Sequence, residues 1–537
     1  MRAFEGPLRL HAGEVAARLE ITDWNFVEYP RLELLTRPAF LPARLSHIDA
    51  TGGLCYLAPG SVVLDRFNPA GSLALCLQAA ETLLNDLIAH PTLSAHDLQD
   101  EFLAYWAGGN AARGWAVIGD VPDEARVAGI HIIRMDALRA SALLLMISSS
   151  KEEMTQVAQA LGGQVEGARE HRCWLVTTQV YPVASDAGLP TTVRGMFHYL
   201  KSWDPLLSRQ VQRILAQEKE YLRYRKVTFA IRSPAGWLGF SIDLESFKQS
   251  GIRQLPRLCL QYLHSRGDSI EITRLSIMQI GSRFIHSRNL THASLINKRI
   301  TLVGCGAVGS YVAQALAKLG AGAGRGRLRL IDPGILEPGN LGRHWLGMDS
   351  LFVAKATAVA QALRQQFPFS RFEDCPQDVR TVAGLFDADL IIDATGVESV
   401  SEMINAHHVQ RNRRRPSVLY TWVLGNGECV QGLWVDSDRY GCYGCLRQPA
   451  GSNYRDERFP VLKEPPTTRA IGCQAVTPYS VAAPIDAAAL ATEFVVDWLQ
   501  GEVSPRLRYR FRDNAEVRTQ RSHDMSKIAH CQACSGP

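Results

Sequence analysis

The segment KRITLVGCGAVGSYVAQALAKLGAGAGRGRLRLID, residues 298–332, decides the fold of the chain's C-terminal half. An apolar run, RITLVG, leads into a glycine-rich turn, then into the helical stretch SYVAQALAKLG and a second apolar run, RLRLID. That succession predicts a βαβ unit of a doubly wound sheet. In GCGAVGS, Gly304, Gly306 and Gly309 let the backbone approach a ligand. The following helix offers unpaired N–H groups and the positive end of its dipole, so the loop suits a phosphate. Asp332, ending the second strand, is placed to hydrogen-bond a ribose. Taken alone, the loop fits NAD as well as ATP, and a tight turn without a ligand is the plainer alternative. Further strands are expected in DLIIDATG and SVLYTWVLG, and a last helix from Pro484 through Leu499, stopped by Gly501.

The residues after Asp332 separate the two nucleotides. In IDPGILEPGNLGRHWLGMDSLFVAKATA, Asn340, Arg343 and Lys355 follow within one short stretch. Arg bridges phosphate oxygens with two parallel bonds and Lys adds a mobile point charge, so the pair suits charge developing during attack on an α-phosphate. Hydride transfer needs no such pair. Together these residues resemble the ThiF/MoeB and ubiquitin-activating enzyme superfamily, over roughly 283–537. The resemblance implies that Gly304, Gly306, Gly309, Asp332, Asn340, Arg343 and Lys355 bind ATP, and that the reaction adenylates a C-terminal carboxylate with release of pyrophosphate. Two departures stand out. AGAGRGR lengthens the interval before Asp332 as a turn insertion would. The family's magnesium-binding Asp, three residues after the position of Asp393, is replaced by Gly396, so Mg2+ needs another oxygen ligand, for which Asp393 is the candidate.

Cys442 and Cys445 in GCYGCL and Cys531 and Cys534 in HCQACS form two CxxC pairs, enough thiolates for one tetrahedral Zn2+. Two unrelated pairs are the alternative; the structural zinc of the ThiF/MoeB family favours a shared ion. Cys473, in TRAIGCQAVTP, lies in a polar stretch before the last helix, where an exposed thiol could take an acyl group from AMP as a thioester. It matches the family's catalytic cysteine; a buried structural thiol is the alternative.

The N-terminal stretch HIDATGGLCYLAPGSVVLDRFNPAGSL resembles the active-site segment of ubiquitin-conjugating enzymes, with His47, Cys55 and Phe67-Asn68-Pro69 in the family's order. The Asn that assists aminolysis in that family is missing, since Ile48 and Asp49 follow His47. Cys55 is the implied second acceptor, and a core cysteine is the alternative. Helices are expected over Ser72–Ile88 and His96–Trp106. The middle region shows strand-like runs HIIRM and ALLLMIS, a basic helix near Ser208–Lys226 and a hairpin in VTFAIRSPAGWLGFSID, without a legible function.

The expected architecture is therefore α/β: an α+β conjugating-like domain (1–115), an α+β middle domain (116–282) and a Rossmann-like adenylation domain (283–537) bearing a structural zinc. Such an arrangement resembles fusion proteins of bacterial ubiquitin-like operons, including type II CBASS anti-phage systems. That resemblance implies a homodimer, a ubiquitin-like protein or cyclic-nucleotide synthase (CD-NTase) C-terminus as carrier, and acceptor lysines on protein targets. The other readings are a sulfur-carrier adenylyltransferase of cofactor biosynthesis and a catalytically silent nucleotide-binding scaffold. Fifty-eight basic against 53 acidic residues, a net +5, give no reason to expect nucleic acid or an anionic membrane as partner. Twelve cysteines in 537 residues are too few for a disulfide scaffold, and with no apolar leader or spanning run the expected location is cytoplasmic.

Overall fold

The computed structural model describes the chain except residues 1, 42–44, 50–51, 109–110, 120–125, 136–142, 149, 166–170, 184–187, 246–254, 289, 411–414, 451–453, 472–473, 513–515, 530 and 535–537. Two compact units result, Met1–Ala158 with Gly162–Ile280, and Gly281–Pro537 with Gln159–Leu161. No helix among the described residues is long and apolar enough to cross a membrane.

The first unit opens with an antiparallel sheet of Arg2–Leu10, Gly13–Ile21, Arg31–Leu34 and Gly53–Leu54, in that order. Alternation along Gly13–Ile21 buries Val15, Ala17, Leu19 and Ile21, which fits a sheet with one covered face. The cover is the helix Pro69–Ala89, started by Asn68, whose Oδ1 accepts from the Gly71 N–H at 3.1 Å. Its buried stripe is Ser72, Cys76, Ala80, Leu84 and Leu87, at near four-residue spacing. Leu77 points outward, and the small Cys76 and Ala80 let the helix lie close to the strands.

The next helix, Pro91–Trp106, packs Phe102 and Trp106 into the core of the middle region. That region is a closed ring. Leu143–Ser148, Ala112–Val117, Ile272–Gln279, Gly236–Asp243, Lys226–Ser233, His171–Thr177 and Arg126–Arg134 pair in this order, and Arg126–Arg134 pairs back onto Leu143–Ser148. Among its strands is the expected hairpin, with Ser233 opposite Gly236. The basic helix is shorter than expected, Pro205–Gln217, followed by a 3-10 turn at Glu220–Arg223 that frees Lys226 to begin a strand. Its buried Leu207, Val211, Ile214 and Leu215 hold it on the ring, and its basic residues fall on the other face.

The second unit is the doubly wound sheet. Its order is Phe372–Cys375, Arg327–Ile331, Arg299–Val303, Leu390–Asp393, Ser417–Leu424, Cys429–Val435, Leu507–Phe511; the first five are parallel, and the last two pairings are antiparallel. Helices Ala307–Lys318, Lys355–Gln366 and Ala482–Gln500 contribute to one core, and Glu398–Val409 with the four CxxC cysteines contributes to the other. The last helix begins two residues before Pro484 and ends on Gly501 in a left-handed conformation (φ 100°), as a C-terminal glycine allows. The AGAGRGR insertion is a tight turn, with Gly322 and Gly324, and Gly320 just before it, at positive φ. Strand order reverses between Arg299–Val303 and Leu390–Asp393, and a ligand crevice is expected at the carboxyl ends of these strands.

Candidate functional site

The crevice at that reversal is a cavity of about 450 Å3. Gly304 and Gly306 form one wall, Ile331 and Asp332 another, and Thr421, Trp422 and Val423 at the end of the neighbouring strand a third. The three glycines do different things. Gly304 sits at φ +89°, and a Cβ there would stand 3.0 Å from the Ala394 carbonyl. A Cβ on Gly309 would overlap the Gly304 carbonyl, so this glycine lets the helix start against the turn. Gly306 has nothing within 4 Å of its missing Cβ and lines the cavity, so its backbone is the one open to a ligand.

Asp332 braces this loop. Its Oδ2 accepts from the Cys305 N–H and its Oδ1 from the Gly334 N–H, both at 2.7 Å. A carboxylate has about four acceptor positions, so the group can brace the loop and still receive a hydroxyl. Lys355, the first residue of its helix, lies over Gly334, whose missing Cβ would be 3.3 Å from Nζ and 3.1 Å from Asp332 Oδ1. A cation and an anion thus meet at one edge of the cavity, which both line. Cys305, buried within the glycine loop, has its thiol pushed up by burial and is an inert packing group.

Asn340 and Arg343 stand back from this edge. Asn340 caps the 3-10 turn Pro338–Asn340, accepting the Glu337 N–H at 3.0 Å. The Arg343 guanidinium lies 5.0 Å from the ring centre of Tyr479, and it is Tyr479 that lines the cavity. Between them and the loop is a residue the sequence reading passed over, His344. Buried, its Nδ1 accepts the Leu346 N–H at 3.0 Å, which leaves Nε2 to donate to the Cys305 carbonyl at 2.9 Å. Burial lowers its pKa, so the ring is a neutral strut joining the Asn340–Arg343 segment to the glycine loop. Its adjacency to Arg343 was the only signal.

Asp393 faces a second cavity of about 240 Å3 that shares Gly396, Thr421, Trp422 and Val423 with the first. Its carboxylate is 2% exposed and accepts from the Thr395 N–H at 3.0 Å, the Thr395 hydroxyl at 2.7 Å and the Ser401 hydroxyl at 2.5 Å. Burial pushes its pKa up against those bonds. Gly396 has open space where a side chain would project. Glu398, in the same cavity, is engaged by Arg447 through two 2.8 Å bonds.

Cys442, Cys445, Cys531 and Cys534 come together with all four sulfurs within 4.8 Å of one another. The Cys442–Cys531 and Cys445–Cys534 sulfurs are 3.8 and 3.5 Å apart. Four sulfurs at ~2.3 Å from a tetrahedral ion lie about 3.8 Å apart, so the set fits one Zn2+. Asn405 supports it, donating from Nδ2 to Cys442 Sγ at 3.4 Å while its Oδ1 accepts the Tyr443 N–H.

Cys473 lies outside the described residues; the strands Arg469–Ile471 and Gln474–Val476 on either side of it pair antiparallel. In the first unit Cys55 is exposed, unlike a core cysteine, and its N–H donates to the His47 carbonyl at 2.8 Å. His47 holds a left-handed backbone (φ 63°), gripped by Glu101, which accepts both its N–H (3.0 Å) and its Nδ1 (2.8 Å); Asp97 lies 3.5 Å from Nε2.

The glycine loop, the Asp332–Lys355 edge and an exposed Cys55 describe two modules on one chain, and comparison with known proteins finds both. Residues 279–535 match the ThiF family and residues 3–111 match prokaryotic E2 family B. The ATP-dependent ubiquitin transferase-like protein Cap2 of Pseudomonas aeruginosa (strain BWHPSA011 / Pa011) is 31% identical over 520 residues, covering 96% of this chain and 90% of the relative. The chain belongs to the Cap2 family. Cap2 of Escherichia coli (strain TW11681) is 27% identical over 462 residues, 81% of this chain and 77% of that one. A crystal structure of E. coli MccB with ATP covers 44% of this chain and 66% of its own at 17% identity and a TM-score of 0.34. As a Cap2-family member the chain is an enzyme of the adenylyltransferase and ligase type, with a ubiquitin-activating-like module following a ubiquitin-conjugating-like one.

Proposed function

We propose that this enzyme activates the C-terminal carboxylate of a ubiquitin-like protein or a CD-NTase-type partner and conjugates it to lysine amines of protein targets in anti-phage defence of the CBASS kind. The observation that carries the reading is the 450 Å3 cavity on which Gly306, Asp332 and Lys355 converge at the sheet's topological reversal. There the loop of Gly304, Gly306 and Gly309 receives the ATP phosphates, Gly306 offering the open backbone while Gly304 and Gly309 shape the turn around it, and Asp332 receives the ribose. Lys355 stabilises charge on the α-phosphate as the carboxylate attacks and pyrophosphate leaves. Arg343 reaches the phosphates on leaving Tyr479, while Asn340 fixes the turn that carries it.

Mg2+, if bound with the nucleotide, would supply charge neutralisation at the phosphates and keep much of its water, as suits an ion that gives up water reluctantly. With three hydrogen bonds already accepted, Asp393 has one acceptor position left for that ion and mainly orders Thr395 and Ser401 between the two cavities. Cys442, Cys445, Cys531 and Cys534 would hold Zn2+, and the shared ion would tie the C-terminal segment to the sheet.

Cys473 then takes the acyl group from AMP, and Cys55 receives it for transfer to an amine. The proposed organisation is a conjugating domain over 1–115, a middle domain over 116–282 and an activating domain over 283–537, acting as a homodimer in the cytoplasm. The test is ATP–pyrophosphate exchange with each protein encoded beside this chain's gene, followed by trapping of thioesters. Cys473→Ala should keep exchange and abolish loading of both cysteines, whereas Cys55→Ala should load Cys473 alone. Persistent conjugation by Cys55→Ala would instead favour a sulfur-carrier type of activation, and absence of exchange with every candidate a silent scaffold.

A further inference from the structure

The strand Ser417–Leu424, whose end forms one wall of the nucleotide cavity, turns into its antiparallel partner at Gly425–Asn426–Gly427–Glu428. Gly425 (φ 60°) and Gly427 (φ 97°) supply positive φ on either side of Asn426, a backbone path that other residues adopt at a cost. The turn thereby presents the Asn426 carboxamide, which makes three hydrogen bonds to chain far away in sequence. Its Oδ1 accepts the Thr467 N–H at 2.8 Å, and its Nδ2 donates to the Thr467 carbonyl at 2.9 Å and to the Pro478 carbonyl at 2.8 Å. One side chain therefore holds both ends of the twelve-residue stretch 467–478. The next residue, Tyr479, stands beside Gly427, whose missing Cβ would be 3.4 Å from the Tyr479 Cβ, and carries Arg343 on its ring.

The stretch so anchored is the one that contains Cys473. We propose that Asn426 is a positioning residue for acyl transfer, fixing the ends of the Cys473 segment to the same hairpin that walls the adenylate cavity. The proposal rests on the reading of Cys473 as the first acceptor. In that step the Cys473 sulfur, having released its proton to solvent, bonds to the acyl carbon; the carbon–oxygen bond to phosphate breaks and AMP leaves with the electron pair. Attack requires reacting atoms about 3–3.5 Å apart, and an error of ~1 Å can cost about a hundredfold in rate. Nucleotide and thiol are carried by chain segments more than a hundred residues apart, from Gly304 to Cys473. Anchoring the thiol's segment to the cavity wall removes that slack without touching either reactant.

The test compares Asn426→Ala and Asn426→Asp with the full-length enzyme, using the neighbouring-gene protein that supports pyrophosphate exchange. Asp keeps the acceptor for the Thr467 N–H but loses both donated bonds, and sets a carboxylate oxygen against the Pro478 carbonyl. Both variants should keep exchange within about twofold and slow thioester formation at Cys473 about 10–100-fold, through kcat with KM for the carrier unchanged. Hydrogen exchange should show the Thr467 amide deprotected in Asn426→Ala but not in Asn426→Asp. Wild-type loading rates in both variants, or loss of exchange in step with loading, would overturn the proposal. Cys473→Ala run in parallel keeps the two ideas apart, because normal loading there removes Cys473 as acceptor whatever Asn426 does.

Discussion

Replacing Gly306 and Gly309 by alanine, one at a time, separates what the loop does for the fold from what it does for ATP. At Gly306 the added methyl meets nothing within 4 Å and the backbone lies outside the left-handed region, so the fold accepts it. As the first residue before the helix Ala307–Lys318, Gly306 is a slightly better cap than alanine, a difference of about 0.5–1 kcal/mol. For a unit of this size that lowers Tm by roughly 1–4 °C. The methyl projects into the phosphate's proposed place, and displacing a phosphate from one or two charge-assisted N–H bonds costs about 1.5–3 kcal/mol. ATP affinity should therefore fall about 10–100-fold by calorimetric titration, with matching loss of pyrophosphate exchange at subsaturating ATP. Gly309→Ala reverses the pattern: its methyl overlaps the Gly304 carbonyl, so helix and turn must separate, at a cost of about 2–3 kcal/mol or more. Thermal unfolding should drop by roughly 5 °C or more. If Gly306→Ala binds ATP as wild type does, the phosphate is elsewhere and the reasoning from the open Cβ position fails.

Lys355→Met, which keeps the stem and removes the charge, should cut the exchange rate about 10²–10³-fold with little change in Tm; unchanged exchange would exclude Lys355 from the adenylation step. A thiol-compatible chelator, or Cys531→Ser, should release one Zn2+ per chain and destabilise the second unit, read as metal by atomic absorption and as a lower Tm; equal stability with and without metal would dismiss a structural role. His344 has its folded pKa depressed by burial, so the unfolded chain takes up its proton first. Stability is unaffected above about pH 6.5 and falls as pH drops below it, by up to ~1.4 kcal/mol per unit until the folded pKa is reached. His286 is depressed for the same reason, so His344→Gln should remove part of that slope, and an unaltered slope would show that His344 is not buried neutral.

What could be read beforehand followed the distance over which each signal acts. Gly304, Gly306, Gly309 and Asp332 lie within one βαβ unit whose local pattern states its geometry, and the loop found at the sheet's reversal is the one expected. The CxxC pairs were legible because tetrahedral sulfur coordination dictates short spacing, and the structure adds the meeting of the pairs. Burial was not legible. The pattern DATG could not say that Asp393 would be enclosed and bonded to Ser401, nor could GNLGRHW say that His344 would reach back to Cys305. The middle ring escaped notice because Ala112–Val117 pairs with Ile272–Gln279, and no local alternation announces a partner that far along the chain. At Cys55 the resemblance implied an acceptor thiol without showing that the thiol would be exposed or that Glu101, on the helix Pro91–Trp106, would grip His47.

That ring also has a consequence for how the middle region opens. Where the ring closes, with Arg126–Arg134 on Leu143–Ser148, each strand is flanked by neighbours, and among the described residues the short Gln164–Val165, paired on Arg126–Arg134 alone, is left as an edge. Breaking the circle anywhere exposes two open borders at once, and opening is therefore close to all-or-none. The central amides of the ring should thus be among the last in the first unit to exchange with solvent.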